Sequence, residues 1–197
     1  MGIEFELKYR ATPEILKQVA QNVRGEVQRY AMHTTYYDTA DGLLTRQHCT
    51  LRRRMENEAS VCTLKRPTGG AGRAEYSVEC PDIQEAIPEL CKLSGFSEQE
   101  ALLSGLQEVC GARFERTAIT AEIPGAVVEL ALDTGILTGG GREAPLCELE
   151  VELKSGSQAA VEVYGKALAL RYGLQPETKS KFRRAYLLAK GEEYGRI

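Results

Sequence analysis

Two stretches of this chain carry charge on every second residue, and that period constrains the fold more than any other feature. In Ile3–Arg10, one parity holds Glu4, Glu6, Lys8 and Arg10, and the other holds Ile3, Phe5, Leu7 and Tyr9. In Leu146–Lys154, one parity holds Glu148, Glu150 and Glu152, and the other holds Cys147, Leu149, Val151 and Leu153. A period of two belongs to a β-strand, whose successive side chains point to opposite faces. The split recurs. Arg52 and Arg54 share a face, as do Thr63 and Lys65, with Cys62 and Leu64 opposite. Arg73, Glu75, Ser77 and Glu79 share another, and Glu129 and Asp133 flank Ala131 on a third.

Any one such strand fits an apolar face on the core and a charged face in water. The set does not. Three carboxylates in a row place like charges near one another, which costs stability unless something compensates. A cation beside the acids and a polyanion beside the bases would compensate. The pattern therefore predicts a barrel whose charged faces point inward and whose apolar faces pack outward, the reverse of a small barrel filled with apolar side chains.

The rest of the chain fits that frame. Strand-like runs cover Ile3–Arg10, Met32–Tyr37, Thr50–Met55, Val61–Arg66, Arg73–Cys80, Arg113–Ile123, Ala126–Thr134 and Leu146–Lys154. Short glycine-rich stretches at Gly69–Gly72 and Gly139–Gly141 read as hairpin loops. Thr12-Pro13-Glu14 opens a helix that runs to about Arg24. Further helices are expected over Ser97–Cys110 (capped by Ser97, with Glu100 completing the box), Ser157–Tyr172 and Lys179–Ala189, with a weaker one over Asp82–Lys92, interrupted by Pro88. The expected architecture is α+β: an eight-stranded antiparallel tunnel with helices on its outside, in a single domain over residues 1–197.

Composition narrows the function. The net charge of −3 gives no basic excess of the kind a nucleic-acid surface shows. No apolar run approaches the length of a membrane span, and the charged start is no secretory leader. These features predict a cytoplasmic protein with no nucleic-acid or membrane partner. The six cysteines form no CxxC pair and read as reduced, mostly buried thiols. His33 and His48 show neither triad nor metal spacing. There is no GxSxG elbow, and the run at Gly69–Arg73 lacks the ending of a phosphate-binding P-loop.

What remains is electrostatic chemistry. Hard divalent cations such as Mg²⁺ and Mn²⁺ take carboxylate and phosphate oxygens, and Glu4, Glu6, Glu150 and Glu152 would supply carboxylates from two strands. Guanidinium and ammonium groups match phosphate, and Lys8, Arg52, Arg54, Lys65, Arg73 and Arg116 are the candidates. Phosphoryl transfer needs positioning and charge neutralisation above all.

At this point the residues resemble a known family. Glu4-Phe5-Glu6-Leu7-Lys8 is similar to the ExExK signature of the CYTH superfamily, the triphosphate tunnel metalloenzymes. Tyr36-Tyr37-Asp38-Thr39, Leu51-Arg52-Arg53-Arg54, Thr63-Leu64-Lys65, Arg73-Ala74-Glu75-Tyr76, the run Glu148–Leu153, and Ser180-Lys181 with Arg184 following resemble its later motifs, in family order. The resemblance implies metal ligands at Glu4, Glu6, Glu150 and Glu152, and triphosphate contacts at Lys8, Arg52, Arg54 and Lys65. As second-tier transfers it implies substrate contacts at Arg73, Arg116 and Lys181, a further metal ligand at Asp133, and a catalytic role for Glu75. Arg53 should point the other way. The bacterial inorganic triphosphatase branch is the nearest match, implying Mg²⁺- or Mn²⁺-dependent hydrolysis of inorganic triphosphate. Class IV adenylate cyclase, thiamine or nucleoside triphosphatase, and a non-catalytic polyphosphate or nucleotide binder remain as alternatives, and a homodimer stays open.

Overall fold

The computed structural model describes residues 5–68 and 73–192. Its strands, in chain order, are β1 (Glu6–Arg10), β2 (Glu26–Thr39), β3 (Thr50–Glu56), β4 (Ala59–Pro67), β5 (Arg73–Glu79), β6 (Leu106–Ile123), β7 (Ala126–Gly139), β8 (Arg142–Gly156) and β9 (Gln175–Pro176). They form one sheet in the order β5-β4-β3-β2-β6-β7-β8-β1-β9. Every pairing is antiparallel. The expected eight strands are present, with the two-residue β9 added at one edge. No ladder joins β5 to β9 among the described residues, so the sheet curls as a barrel without closing.

The helices are α1 (Pro13–Asn22), α2 (Leu43–Arg46), α3 (Ile83–Ser94), α4 (Gln99–Gly105), α5 (Gln158–Tyr172) and α6 (Lys181–Ala189). Local chemistry sets their ends. The Thr12 hydroxyl accepts from Ile15 N–H, with Pro13 at the first helical position. Asp82 caps α3, and Gly95 and Gly173 close α3 and α5 in the left-handed region. Pro88 leaves α3 continuous. The β7–β8 hairpin turns through Gly140 and Gly141 at φ 58° and 71°, a two-residue loop that demands positive φ at both positions. No helix among the described residues is long and apolar enough to cross a membrane.

Two elements differ from expectation. The helix read over Ser97–Cys110 is only α4, with no side-chain cap at its start. From Leu106 the chain is extended because Leu106, Gln107 and Glu108 pair with Thr39, Asp38 and Tyr37 of β2, and cross-strand pairing overrides the helical pattern. The second difference is α6. The outer apolar faces pack as predicted: Leu130, Leu149 and Val151 against α1 and α5, and Leu51, Cys62 and Leu64 against α2, α3 and α4. Each fully buried aliphatic side chain there contributes about 1.5–3 kcal/mol. By contrast α6 lies on the inner face, where Ala185 and Phe182 meet Met32, Phe114, Leu137 and Leu146. At that end the inward positions are apolar rather than charged, so a helix can bury them and wall off the trough.

Candidate functional site

The strand register delivers the charged positions to one place. Glu6 stands opposite Glu152, Lys8 opposite Glu150 and Arg10 opposite Glu148. Glu129 also stands opposite Glu152, Asp133 opposite Glu148 and Arg116 opposite Asp133. On the facing side, Arg52 and Arg54 of β3 alternate inward, and Thr63 and Lys65 come from β4. Between them lies a cavity of about 570 Å³, lined by seven basic and three acidic side chains. Lys8, Arg52, Arg54, Lys65, Arg73, Arg116 and Lys181 supply the bases, and Glu6, Glu150 and Glu152 the acids. The sequence placed all ten there. Glu75 and Asp133 stand behind the lining as partners of its bases, and Glu4 lies outside the described residues.

The basic wall is only partly compensated. Glu75 accepts from Arg52 Nη2 at 3.2 Å and forms an ion pair with Lys65 Nζ at 2.5 Å. Arg52 Nε is buried without a hydrogen-bond partner. Arg54 is buried, donates from Nε to Thr34 Oγ1 at 2.9 Å, and reaches Glu56 only at 3.9 Å. Burial, then the neighbouring charge of Arg52, pulls its guanidinium from the ordinary 12.5 down to about 10. Such a group favours an anion beside it. Arg73 is held by the His48 carbonyl at 2.8 Å and Thr50 Oγ1 at 3.2 Å. Arg53 points away, as alternation requires, and donates to the Pro81 carbonyl.

The opposite wall is a salt network. Arg116 is bidentate to Asp133, with both contacts at 2.7 Å, and reaches Glu150 at 2.8 Å. Lys181 Nζ meets Asp133 Oδ2 at 2.7 Å, Glu150 Oε1 at 2.9 Å and Glu148. Arg184 joins Glu148 from the next turn of α6. Burial opposes the charged form of Glu150, but Lys181, Arg116 and Lys8 outweigh it and hold the carboxyl well below its usual range. Burial also works against the Lys8 ammonium, yet Glu150 and Glu6 keep it raised. Beneath both walls the Phe114 ring lies 5.8 Å from the guanidinium carbons of Arg54 and Arg116 and 5.2 Å from Lys181 Nζ.

Glu148, Arg184 and Phe114 carried no assigned role on sequence grounds. The parity of Glu148 was visible, but its pairing with α6 spans more than thirty residues. Tyr36-Tyr37-Asp38-Thr39 proves structural in its second half: Asp38 accepts from Thr39, Leu44 and Thr45 N–H and from the Thr45 hydroxyl, fastening α2 to the end of β2. All six cysteines are free thiols, and both histidines are exposed.

The donor set fits a hard divalent cation at Glu6 and Glu152. They are carboxylates directly opposite on neighbouring strands, each lining the cavity and partly exposed; Lys8 reaches Glu6 at 3.0 Å and Lys154 reaches Glu152 at 3.2 Å, and a divalent cation would offset the remaining like-charge repulsion more strongly. Glu150 lines the same space. Asp133, Glu148 and Glu150 also bring carboxylate oxygens within 4.8 Å of one another, but Asp133 and Glu148 are fully buried and already neutralised by Arg116, Lys181 and Arg184. Asp133 therefore serves in this structure as counterion to Arg116 and Lys181.

The site is an antiparallel, inward-charged trough with bases facing acids. Residues 2–186 match the CYTH domain, and the chain belongs to that family. It is 32% identical over 194 residues to a Haemophilus influenzae protein named inorganic triphosphatase, an alignment covering 94% of this chain and 54% of that protein. The chain thus spans about half the length of that relative. Its fold is similar to that of a putative adenylate cyclase from Bacillus halodurans (TM-score 0.65, 20% identity, 92% of this chain and 96% of that one). It is also similar to a putative adenylyl cyclase from Hippeastrum described as having a dominant triphosphatase activity (TM-score 0.64, 19% identity, 98% and 97% coverage).

Proposed function

We propose that the cavity binds inorganic triphosphate and that the chain hydrolyses it to diphosphate and phosphate, using Mg²⁺ or Mn²⁺ held by Glu6, Glu150 and Glu152, with Glu4 as a further ligand. The observation that carries this reading is the under-compensated guanidinium of Arg54, buried in the same cavity wall as Arg52 and Lys65 and facing an acidic strand pair across the cavity. The Haemophilus relative supports the choice of substrate.

In this reading Arg52, Arg54, Lys65 and Lys8 donate to phosphate oxygens and stabilise the charge that shifts during P–O cleavage. Arg73, Arg116 and Lys181 extend the cradle. Glu75 keeps Arg52 and Lys65 in place from behind, which makes it a positioning residue. A bound divalent cation would neutralise phosphate charge and lower the pKa of a coordinated water.

The cavity's aromatic residues favour inorganic triphosphate over a nucleotide. Tyr36 and Phe182 pack against one another with centroids 5.2 Å apart and planes tilted by 55°, and Phe5 packs into the outer core, so each ring is already engaged. A base would have to displace one of them. The test is a phosphate-release panel with Mg²⁺ or Mn²⁺ on inorganic triphosphate, ATP and thiamine triphosphate, with a separate assay for cyclic AMP. Strong preference for inorganic triphosphate supports the reading. Preference for an organic triphosphate, cyclisation, or binding without turnover refutes it.

A further inference from the structure

Three of the bases that line the cavity converge on a single carboxylate. Glu150 Oε2 accepts from Arg116 Nη2 at 2.8 Å. Its Oε1 accepts from Lys181 Nζ at 2.9 Å and lies 3.5 Å from Lys8 Nζ. Both oxygens are engaged, and the residue is buried. An entering polyanion needs those same three cations. A divalent cation on the acidic strands needs the same two oxygens. The two demands have opposite sign, and they meet in one side chain.

We infer that Glu150 is a built-in stand-in for the polyanion: it competes with the substrate for Lys8, Arg116 and Lys181 until a metal ion draws it away. This rests on the reading that the cavity takes a triphosphate. Without metal, the incoming anion must share its cations with a carboxylate that cannot leave, and opposed like charges inside a binding site are heavily penalised. With metal, Glu150 turns from competitor to ligand, and Lys8, Arg116 and Lys181 each lose one carboxylate partner while keeping Glu6, Asp133 and Glu148, which leaves their donors more available to the phosphates. Metal and anion binding are therefore coupled through the protein as well as through their own mutual attraction. Glu6 cannot play this part to the same degree. It pairs with Lys8 alone, at 3.0 Å, and its side chain is 42% exposed.

Calorimetric titration of inorganic triphosphate into the wild type and Glu150→Gln tests this, once in EDTA and once with Mn²⁺ at the same ionic strength. In EDTA the variant should bind more tightly, by about tenfold, the shift a single charge contact of about 1.4 kcal/mol would give. Manganese should strengthen binding to the wild type far more than to the variant. Chelation of Mn²⁺ by triphosphate in solution is common to both proteins and cancels. Equal or weaker metal-free binding by the folded variant overturns the inference while leaving the substrate assignment intact. Failure of the wild type to bind triphosphate under either condition removes the substrate assignment itself, and the inference with it.

A measurement on the wild type alone covers the case in which the variant does not fold. Mn²⁺ binding, followed by electron paramagnetic resonance, should tighten several-fold when sulfate is added, because sulfate occupies the bases while chelating Mn²⁺ only weakly. Unchanged Mn²⁺ affinity with sulfate refutes the coupling.

Discussion

Replacing Arg54 with methionine should make the empty protein more stable and the enzyme much worse. Burial and Arg52 displace the Arg54 guanidinium from 12.5 to about 10. Each pKa unit corresponds to about 1.4 kcal/mol, so keeping this charge in the empty cavity costs about 3 kcal/mol at neutral pH. Methionine retains most of the apolar stem and adapts its shape. The loss to set against this is the hydrogen bond from Nε to the buried Thr34 hydroxyl, about 1 kcal/mol. The net gain is about 2 kcal/mol, or roughly 5 °C in Tm for a chain of this size. A base with a depressed folded pKa destabilises the fold wherever it is charged, and only alkaline pH near 10 or above would relieve it. Turnover should fall about 10²- to 10³-fold, the range for removing one preorganised donor to developing charge. Scanning calorimetry on the ligand-free proteins, paired with phosphate release, gives both numbers. A lower Tm for ligand-free Arg54→Met would refute the claim that this guanidinium is held there against its own solvation.

Three further outcomes follow from the geometry. Glu6→Gln and Glu152→Gln should each raise the Mg²⁺ or Mn²⁺ concentration for half-maximal activity by about tenfold or more, since losing even an outer-shell partner of a metal ligand costs that much; an unchanged metal titration would remove these residues from the metal site. Gly135→Ala should destabilise the fold by at least about 3 kcal/mol, because its Cβ would lie 2.1 Å from the Arg113 carbonyl oxygen and 2.5 Å from Phe114 Cα, both backbone atoms in the neighbouring strand; denaturant unfolding measures the loss, and a value within 1 kcal/mol of wild type would contradict the packing. Burial pushes the Cys62 thiol up to about 11 and Cys110 up to about 12, so both should resist iodoacetamide at pH 8 in the native protein and react in urea, with any stability loss appearing only as pH rises past the ordinary thiol value near 9; mass spectrometry showing rapid native alkylation of either would count against their burial.

What was legible in the sequence was whatever repeats locally. Alternation placed Lys8, Arg52, Arg54, Lys65, Glu150 and Glu152 on inward faces, because strand geometry makes parity a physical constraint and one slip would send a whole face outward. Arg53, between two inward arginines, followed the same rule to the outer surface. The helix start at Thr12 was legible for the same reason: the capping oxygen and its N–H lie three residues apart. Parity says which face a residue takes but not what stands opposite it. The 106–110 segment has both helical and strand-compatible patterns, and its pairing with β2 decided between them.

The α6 network lies further beyond local reading, and it changes how the tunnel should be understood. Lys181 and Arg184 are one helical turn apart, which by pattern alone is a polar face for solvent. Their burial depends on Glu148 and Glu150 arriving from more than thirty residues away, and on apolar inward positions such as Phe114 and Leu146 at that end of the sheet. A buried cation left without its carboxylate is strongly destabilising, and so is the converse. Glu150, one of the acids that would hold the metal, and the helix that walls the cavity are therefore fixed by the same ion pairs. Metal affinity cannot be raised by adding carboxylates on β8 without also reaching Lys181, and α6 cannot be loosened without exposing Glu148. Such coupling explains why so many charges can be packed inward at all: in the empty protein most of them satisfy one another, and Arg54, with the unpartnered Nε of Arg52 beside it, leaves the deficit that the proposed polyanion would fill.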